Sequence, residues 1–315
     1  MTRYKVIFNP ESNKGANVPL FPEIEKELAA AGLDCDVVLT DHPWHAAELA
    51  QAAAGEGYDV VVAGGGDGTS NEVINGIMLA QQDSADITMG LLPIGRGNDF
   101  NFGLNNPEDW RESIAVLAAG KTRMVDVGHL TGGLYPEGRY FGNQIGIGYD
   151  AVVGFLAAEQ RITGFAGYLV AAIRTMWIYH PAPVLNFQLD GETIEQPCLM
   201  LTMMNGSRAG GGFMMAPHHV IDDGLLDVCL ADSIPRARIL PLMVRFIQGT
   251  QIGHPAIHYY KASQVEVQAV KGSIPAHADG ETICTAGDSL SIKLLPRVLK
   301  VLAAENQPAD EEKAA

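Results

Sequence analysis

Residues Asp59 to Asn75 read Asp-Val-Val-Val-Ala-Gly-Gly-Gly-Asp-Gly-Thr-Ser-Asn-Glu-Val-Ile-Asn. Val60 to Ala63 are a short apolar run suited to a buried strand. Gly64, Gly65 and Gly66 then strip the backbone of side chains where it must turn. Thr69 and Glu72 have capping-box spacing, which predicts a helix starting there. Backbone N–H groups at a helix start, with nothing in front of them, bind phosphate. Asp67 does not fit that purpose by itself. A carboxylate in a phosphate loop repels its ligand unless a cation or a proton transfer accounts for it. The combination points to a nucleotide held with a divalent metal. A plain glycine turn is the simpler reading, but it leaves Asp67 unexplained.

A second loop follows the same logic. Gly90-Leu-Leu-Pro-Ile-Gly-Arg-Gly-Asn-Asp-Phe100 continues a strand predicted over Ile87–Leu92. Gly95 and Gly97 allow close backbone approach, and Asn98 and Asp99 suit ribose or metal contacts or simply cap a turn. Two such loops at successive strand ends agree with ligand binding at the carboxyl edge of an α/β sheet. The chain has no G-x-x-x-x-G-K-[ST], which excludes a Walker A loop, and the G-x-G-x-x-G dinucleotide spacing is missing here.

These loops need a scaffold, and the flanking pattern supplies one. Strands are predicted over Tyr4–Phe8, Cys35–Leu39, Val60–Ala63 and Ile87–Leu92. Helices are predicted over Pro22–Ala31, His42–Ala54, after Thr69, and over Glu108–Ala119. Strand and helix alternate, so this part reads as α/β, a mostly parallel sheet with helices on both faces. After about Gly128 strands dominate: Arg139–Ile147, Val184–Leu189, Cys198–Met204, Leu225–Ala231, Gln264–Ala269 and Leu290–Leu294. Helices over Ala151–Tyr179 and Arg236–Gln248 interrupt them. This implies an α+β or β-sandwich second domain. The divisions are 1–128, 129–294 and a C-terminal segment 295–315, with Glu305–Ala315 expected to fray.

The 315 residues hold 21 Lys and Arg against 37 Asp and Glu, a net charge of −16. That argues against nucleic acid as a partner and against bulk adsorption to an anionic bilayer. Cys35, Cys198, Cys229 and Cys284 show no C-x-x-C spacing, and three of them lie in apolar strand-like runs and suit small core residues in a reducing compartment. The apolar stretch Ile162–Ile173, between Arg161 and Arg174, is too short for a transmembrane segment, and the polar N-terminus does not read as a signal peptide. A cytoplasmic protein with peripheral membrane contact is the expectation, and a homodimer is left open.

Gly65-Gly66-Asp67-Gly68-Thr69, the Pro93–Phe100 loop, Asp222-Asp-Gly-Leu-Leu-Asp227 and Asp279-Gly280-Glu281 together resemble the diacylglycerol kinase catalytic family, which includes bacterial soluble lipid kinases and sphingosine kinases. The first motif is shared with NAD kinases and phosphofructokinases; the later two make the match specific. The resemblance spans Asn9 to Glu281. It implies an NAD-kinase-like α/β nucleotide domain and a C-terminal β-sandwich with the active site in the cleft between them. It also implies ATP and Mg2+ as cofactors, and transfer of the γ-phosphoryl group to a hydroxyl of a diacylglycerol-like lipid reached at a membrane surface. An NAD kinase or other small-molecule kinase, or a non-catalytic nucleotide or lipid sensor, are the alternatives.

On that resemblance Gly65, Gly66, Asp67, Gly68, Thr69, Ser70 and Asn71 anchor the nucleotide phosphates, and Asp67 helps hold magnesium. Thr40 matches a nucleotide contact, although a strand-end threonine reads the same. Asp279 matches the general base; an Asp-Gly hairpin turn is the competing reading. Glu281 orients the base or binds metal. A structural magnesium is implied at the Asp223 side chain and the carbonyls of Val220 and Leu225. Arg96 departs from the small hydroxyl residue usual there, and either contacts phosphate or fills part of the site. Asn101-Phe102 and the Asn9-Pro10 opening also depart from the usual pattern. His218-His219 do not suit one metal, and His42 and His45 show no evident Cys or carboxylate partner, so zinc is not expected. Phe155–Tyr179 and Phe213–Met215 offer apolar surface for a lipid, or plain core. Arg238 and Arg245 share a helix face that suits a membrane surface or solvent equally.

Overall fold

The computed structural model describes residues 2–82, 86–159, 162, 164–179 and 182–304. The Glu305–Ala315 tail and Arg161 lie outside the described residues. In the first domain β1 (Arg3–Phe8), β2 (Asp34–Leu39), β3 (Val60–Gly65) and β4 (Thr88–Pro93) alternate with α1 (Phe21–Ala30), α2 (His45–Ala53), α3 (Asp67–Gln82), α4 (Asp99–Gly103) and α5 (Trp110–Ala119). The strands lie parallel in the order β2-β1-β3-β4. Side chains alternate faces along each strand. Ile7, Val61 and Ala63 face α2 and α3 through Ala46, Ala50, Ile74 and Ile77. Val6, Phe8, Val60 and Val62 face α1 and α5 through Ile24, Leu28, Ile114 and Leu117. That two-sided burial explains the continuous apolar runs of β3 and β4.

The second domain comprises β5 (Thr122–Gly132), β6 (Tyr135–Phe141), β7 (Gln144–Gly148), α6 (Tyr149–Glu159), α7 (Gly164–Ile178), β8 (Val184–Leu189), β9 (Glu192–Met204), β10 (Arg208–Ala209), β11 (Phe213–Met214), β12 (Leu226–Asp232), α8 (Arg236–Gln248), β13 (Ile257–Ala262), β14 (Gln264–Lys271), β15 (Ile274–Ala278), β16 (Glu281–Gly287) and β17 (Ser289–Leu302). It is a β-sandwich. Strand β9 serves both layers: Glu192–Pro197 pair with β8, and Cys198–Met204 pair with β7 and β12. Phe187, Val265 and Ile292 meet Ile147, Leu201 and Val228 in the core between the layers. Cys198, Cys229 and Cys284 are buried and unpaired.

Several boundaries differ from the sequence reading. The strand predicted over Arg139–Ile147 breaks at Gly142 and Asn143 into β6 and β7. The helix predicted over Ala151–Tyr179 is two helices, α6 and α7. Helix α2 starts at His45, because Trp44 takes a left-handed φ of 74°. Strand β17 runs past Leu294 to Leu302, where Val301 pairs parallel with Met89 of β4. The capping box is not formed. Helix α3 already starts at Asp67, and the Glu72 carboxylate accepts instead from the N–H groups of Trp44 and Ala46, closing the start of α2.

Because β3 and β4 are neighbours, the loops at their carboxyl ends lie side by side. A Cβ on Gly95 would stand 2.3 Å from the Gly66 Cα, and one on Gly97 would stand 2.6 Å from an Asp67 carboxylate oxygen. The glycines are thus needed for backbone-to-backbone contact between the loops. Gly95→Ala is expected to force the loops apart and destabilise the chain by about 1–3 kcal/mol. Denaturant unfolding checks this, and wild-type stability would refute the contact argument.

Candidate active site

A cleft of about 470 Å³ opens between the domains. One wall carries Gly66, Asp67, Gly68, Thr69 and the Gly95–Gly97 backbone; Asp279, Gly280 and Glu281 form the other. The start of α3 thus borders the same cleft as Asp279. Asn9 donates to the Thr69 hydroxyl at 3.1 Å and steadies that start.

Asp279 and Gly280 form the two-residue turn between β15 and β16, with φ of 48° and 88°. The hairpin reading and the cleft reading therefore coexist. The Asp279 carboxylate accepts from the N–H groups of Gly142, Asn143 and Gln144 at 2.7, 3.0 and 2.8 Å. These are the groups that the β6–β7 break releases from strand pairing. A fourth bond comes from the Asn71 amide at 2.9 Å. Asn71 is fully buried; its oxygen accepts from Arg139 at 2.7 Å, and its amide also donates to the Tyr140 carbonyl. Arg139 stacks on the Trp44 ring, 4.7 Å from its centroid.

Asp67 sits at the cleft base. One of its oxygens accepts from the N–H groups of Asp99 and Phe100 at 2.6 and 3.3 Å and so caps α4. Burial first, then the charge of Asp99, pushes its carboxyl up to about 7. Burial also raises Asp99, which Arg208 opposes. Arg208 reaches across from β10: it meets Asp99 at 2.8 Å, the Gly97 carbonyl at 2.8 Å and Glu108 at 2.9 Å, and lies over the Phe102 ring. The sequence reading missed Arg208, which has no motif and is placed only by folding.

The other expected residues divide. Arg96 is exposed at the cleft lip, with no hydrogen bond or ion pair among the described residues. Glu281 is exposed in the cleft near Gly68. Asn98 spends its side chain inside its own loop, accepting from the Gly95 N–H and donating to the Gly95 carbonyl. Thr40 and Ser70 are buried and are not among the residues lining the cleft. Val220, Asp223 and Leu225 lie elsewhere. There Asp223 accepts from the Leu225 N–H at 3.0 Å and pairs with Lys261 at 2.6 Å, so a protein ammonium already balances it.

A second, mostly apolar cavity adjoins the cleft and shares Gln144, Tyr168 and Gly210 with it. Leu199, Met200, Phe213, Leu242 and Phe246 line it. Its lining includes a polar pair, the buried His277 Nε2 at 3.1 Å from the partly buried Asp150. His277 Nδ1 and the Gln144 side-chain oxygen are buried and have no hydrogen-bond partner among the described residues. Neither His277 nor Asp150 was legible as a site residue in sequence.

A glycine-rich helix start and a carboxylate thus share one cleft, and an apolar cavity adjoins it. Residues 3–130 match the diacylglycerol kinase catalytic domain, and residues 143–303 match the YegS C-terminal NAD kinase beta sandwich-like domain. A probable lipid kinase YegS-like from Chromohalobacter salexigens is 30% identical over 272 residues, 86% of this chain and 85% of that one. A diacylglycerol kinase from Staphylococcus saprophyticus is 27% identical over 281 residues, 89% of this chain and 88% of that one. The crystal structure of a putative diacylglycerol kinase from Bacillus anthracis covers 96% of this chain and 95% of its own, with a TM-score of 0.77 and 22% identity. The chain belongs to the diacylglycerol kinase and YegS-like lipid kinase family. Among the described residues no helix is long and apolar enough to cross a membrane.

The raised Asp67 carboxyl has a consequence for stability. Between the ordinary carboxylate range and about 7, the native chain holds a proton that the unfolded chain releases, so stability falls as pH rises through that window. Asp67→Asn keeps the oxygen that caps α4 and removes the charge. Metal-free wild type should melt lower at about pH 8 than at about pH 6; the mutant should melt higher than wild type at the upper pH and show a flatter profile. Equal pH slopes would show that Asp67 bears no such strain.

Proposed function

We propose that this chain transfers the γ-phosphoryl group of ATP to the hydroxyl of a diacylglycerol-like lipid. The observation that carries the reading is that one cleft holds the α3 start and Asp279 face to face, with an apolar cavity beside them. Phosphoryl transfer needs an anchored polyphosphate, charge neutralisation and a proton acceptor. The Gly66–Thr69 backbone anchors the phosphates, and exposed Arg96 adds a charge-assisted contact. Asp67 fits a magnesium ligand: its second oxygen faces Gly97, and its strained charge favours a cation. Magnesium would spread the charge of the transferring group. A structural magnesium at Asp223, Val220 and Leu225 would have to take the place of the Lys261 ammonium.

Asp279 takes the proton of the acceptor hydroxyl as its oxygen attacks phosphorus. A carboxylate offers about four lone-pair positions, and all four are engaged. The acceptor hydroxyl therefore replaces one donor. Asn71 is the only side chain among the four, and its amide keeps the Tyr140 carbonyl when it lets go. The acyl chains enter the apolar cavity, and His277 with Asp150 meets the polar part of the lipid at its mouth. The lipid arrives from a membrane surface on the side of α7 and α8. These helices contain no acidic residue, carry Arg174, Arg236, Arg238 and Arg245, and expose Ile173, Trp177, Leu240 and Val244.

Asp279→Asn turns an amide N–H toward the backbone donors, so stability should fall by about 1–3 kcal/mol. Turnover on lipid by the folded fraction should fall by about 10²–10⁴, while ATP affinity stays within a few-fold. Labelled-phosphate transfer to diacylglycerol in mixed micelles, with ATP titration and a melt on the same sample, measures all three. Near-wild-type turnover would leave Asp279 a turn residue only. Arg96→Thr should weaken ATP binding by about 10- to 100-fold, the loss of one charged hydrogen bond. Tighter binding would mean that Arg96 obstructs the site.

A further inference from the structure

The turn between β2 and α2 brings together a group that its sequence spacing concealed. Asp41, His42 and His45 offer ligand atoms that all lie within 4.8 Å of one another. Asp41 is the carboxylate partner that the two histidines lacked in the sequence reading. The left-handed Trp44 bends the chain so that His45, the first residue of α2, returns beneath His42, and the two rings stack at 4.4 Å and 12°. Both Nδ1 atoms converge on one Asp41 oxygen: His45 at 2.8 Å, and His42 in direct contact.

Two further features point to a metal. His45 Nδ1 accepts from the Asp41 backbone N–H at 3.2 Å, so it carries a lone pair beside the Asp41 carboxylate. A cation that displaced this N–H contact would have both the nitrogen and the carboxylate oxygen within reach. His42 turns its other nitrogen, Nε2, to the Glu48 carboxylate at 3.3 Å. A carboxylate behind a ligating imidazole is the usual second support of a histidine metal ligand, because it fixes the ring and raises its basicity.

We propose that Asp41, His42 and His45 form a binding site for a borderline divalent ion of the zinc class, with Glu48 supporting His42. Two imidazole nitrogens and one carboxylate oxygen suit zinc, cobalt or nickel, whereas magnesium takes oxygen ligands. The exposure of Asp41 and His42 leaves further positions to water. The ion is separate from any magnesium in the cleft, and the assignment stands whether or not the kinase reading does. It would brace the turn that carries Trp44, on which Arg139 stacks.

The test is titration of the chelator-stripped full-length chain with zinc chloride, followed by heat, and with cobalt chloride, followed by visible absorption. Wild type should take one zinc per chain in exchange with cobalt, and excess magnesium should not displace it. His45→Gln and Asp41→Asn should each weaken zinc by at least about tenfold, and Glu48→Gln by about tenfold. A melt without metal confirms that each variant is folded; if His45→Gln is not, the exposed His42→Gln takes its place. No zinc uptake by wild type, or equal uptake by the folded ligand variants, overturns the site.

Discussion

The carboxylate of Asp279 is the interaction on which the site depends. It sits on a two-residue turn with a left-handed φ, a conformation that Asp tolerates better than most residues. Three N–H donors reach it because β6 and β7 stop pairing at Gly142 and Asn143. The fourth donor, Asn71, belongs to the first domain. A single side chain thus closes the hairpin, satisfies the donors of a broken strand and ties the sandwich to α3. The strand break would leave buried N–H groups unpaired without it, at a cost comparable to losing hydrogen bonds. Three of the four bonds come from the backbone, so the fold itself fixes the position of this carboxylate.

The opposite wall of the cleft is organised around charge. Asp67 and Asp99 lie at the touching glycine loops, where absent side chains let carboxylates approach closely. Arg208 answers Asp99 from the second domain, and among the described residues no cationic side chain pairs with Asp67. The domains are therefore clasped on one carboxylate and left electrostatically open at the next. The open one faces the cleft, where a bound cation would relieve it. Truncating Arg208 would remove the clasp and leave a second carboxylate without its cationic partner.

The first domain was largely legible in sequence because its signals are local. Apolar runs marked β3 and β4, and glycines marked the loops at their ends. The Gly66–Asp67 and Asp279–Glu281 segments were singled out, and both line the cleft. What escaped was set by long-range contact. Glu72 looked like a partner for Thr69, but it caps another helix 26 to 28 residues away in sequence. Arg208, Asp150 and His277 carry no motif, and only the folded sandwich brings them to the cleft or the cavity beside it. Asp223 shows the converse: its motif is conspicuous in sequence, yet the fold brings Lys261 onto it.

The two cavities meet at Gln144, Tyr168 and Gly210, and this junction constrains any acceptor. Gln144 gives its N–H to Asp279 and also lines both cavities, so it links the Asp279 carboxylate to the junction. On the proposed reading, a reacting hydroxyl would lie at the boundary between polar and apolar space, with the rest of the molecule directed away from the phosphates. His277 adds a polar requirement there, because its Nδ1 is buried and has no partner among the described residues. Gly146 makes room for the pair: a Cβ there would stand 2.1 Å from Asp150 and 2.6 Å from His277. A buried polar atom at an otherwise apolar mouth disfavours a wholly hydrocarbon neighbour, since its hydrogen bond would stay unmade. On the proposed kinase reading, the junction would favour an acceptor with a second polar group close to its reacting hydroxyl and an apolar body beyond.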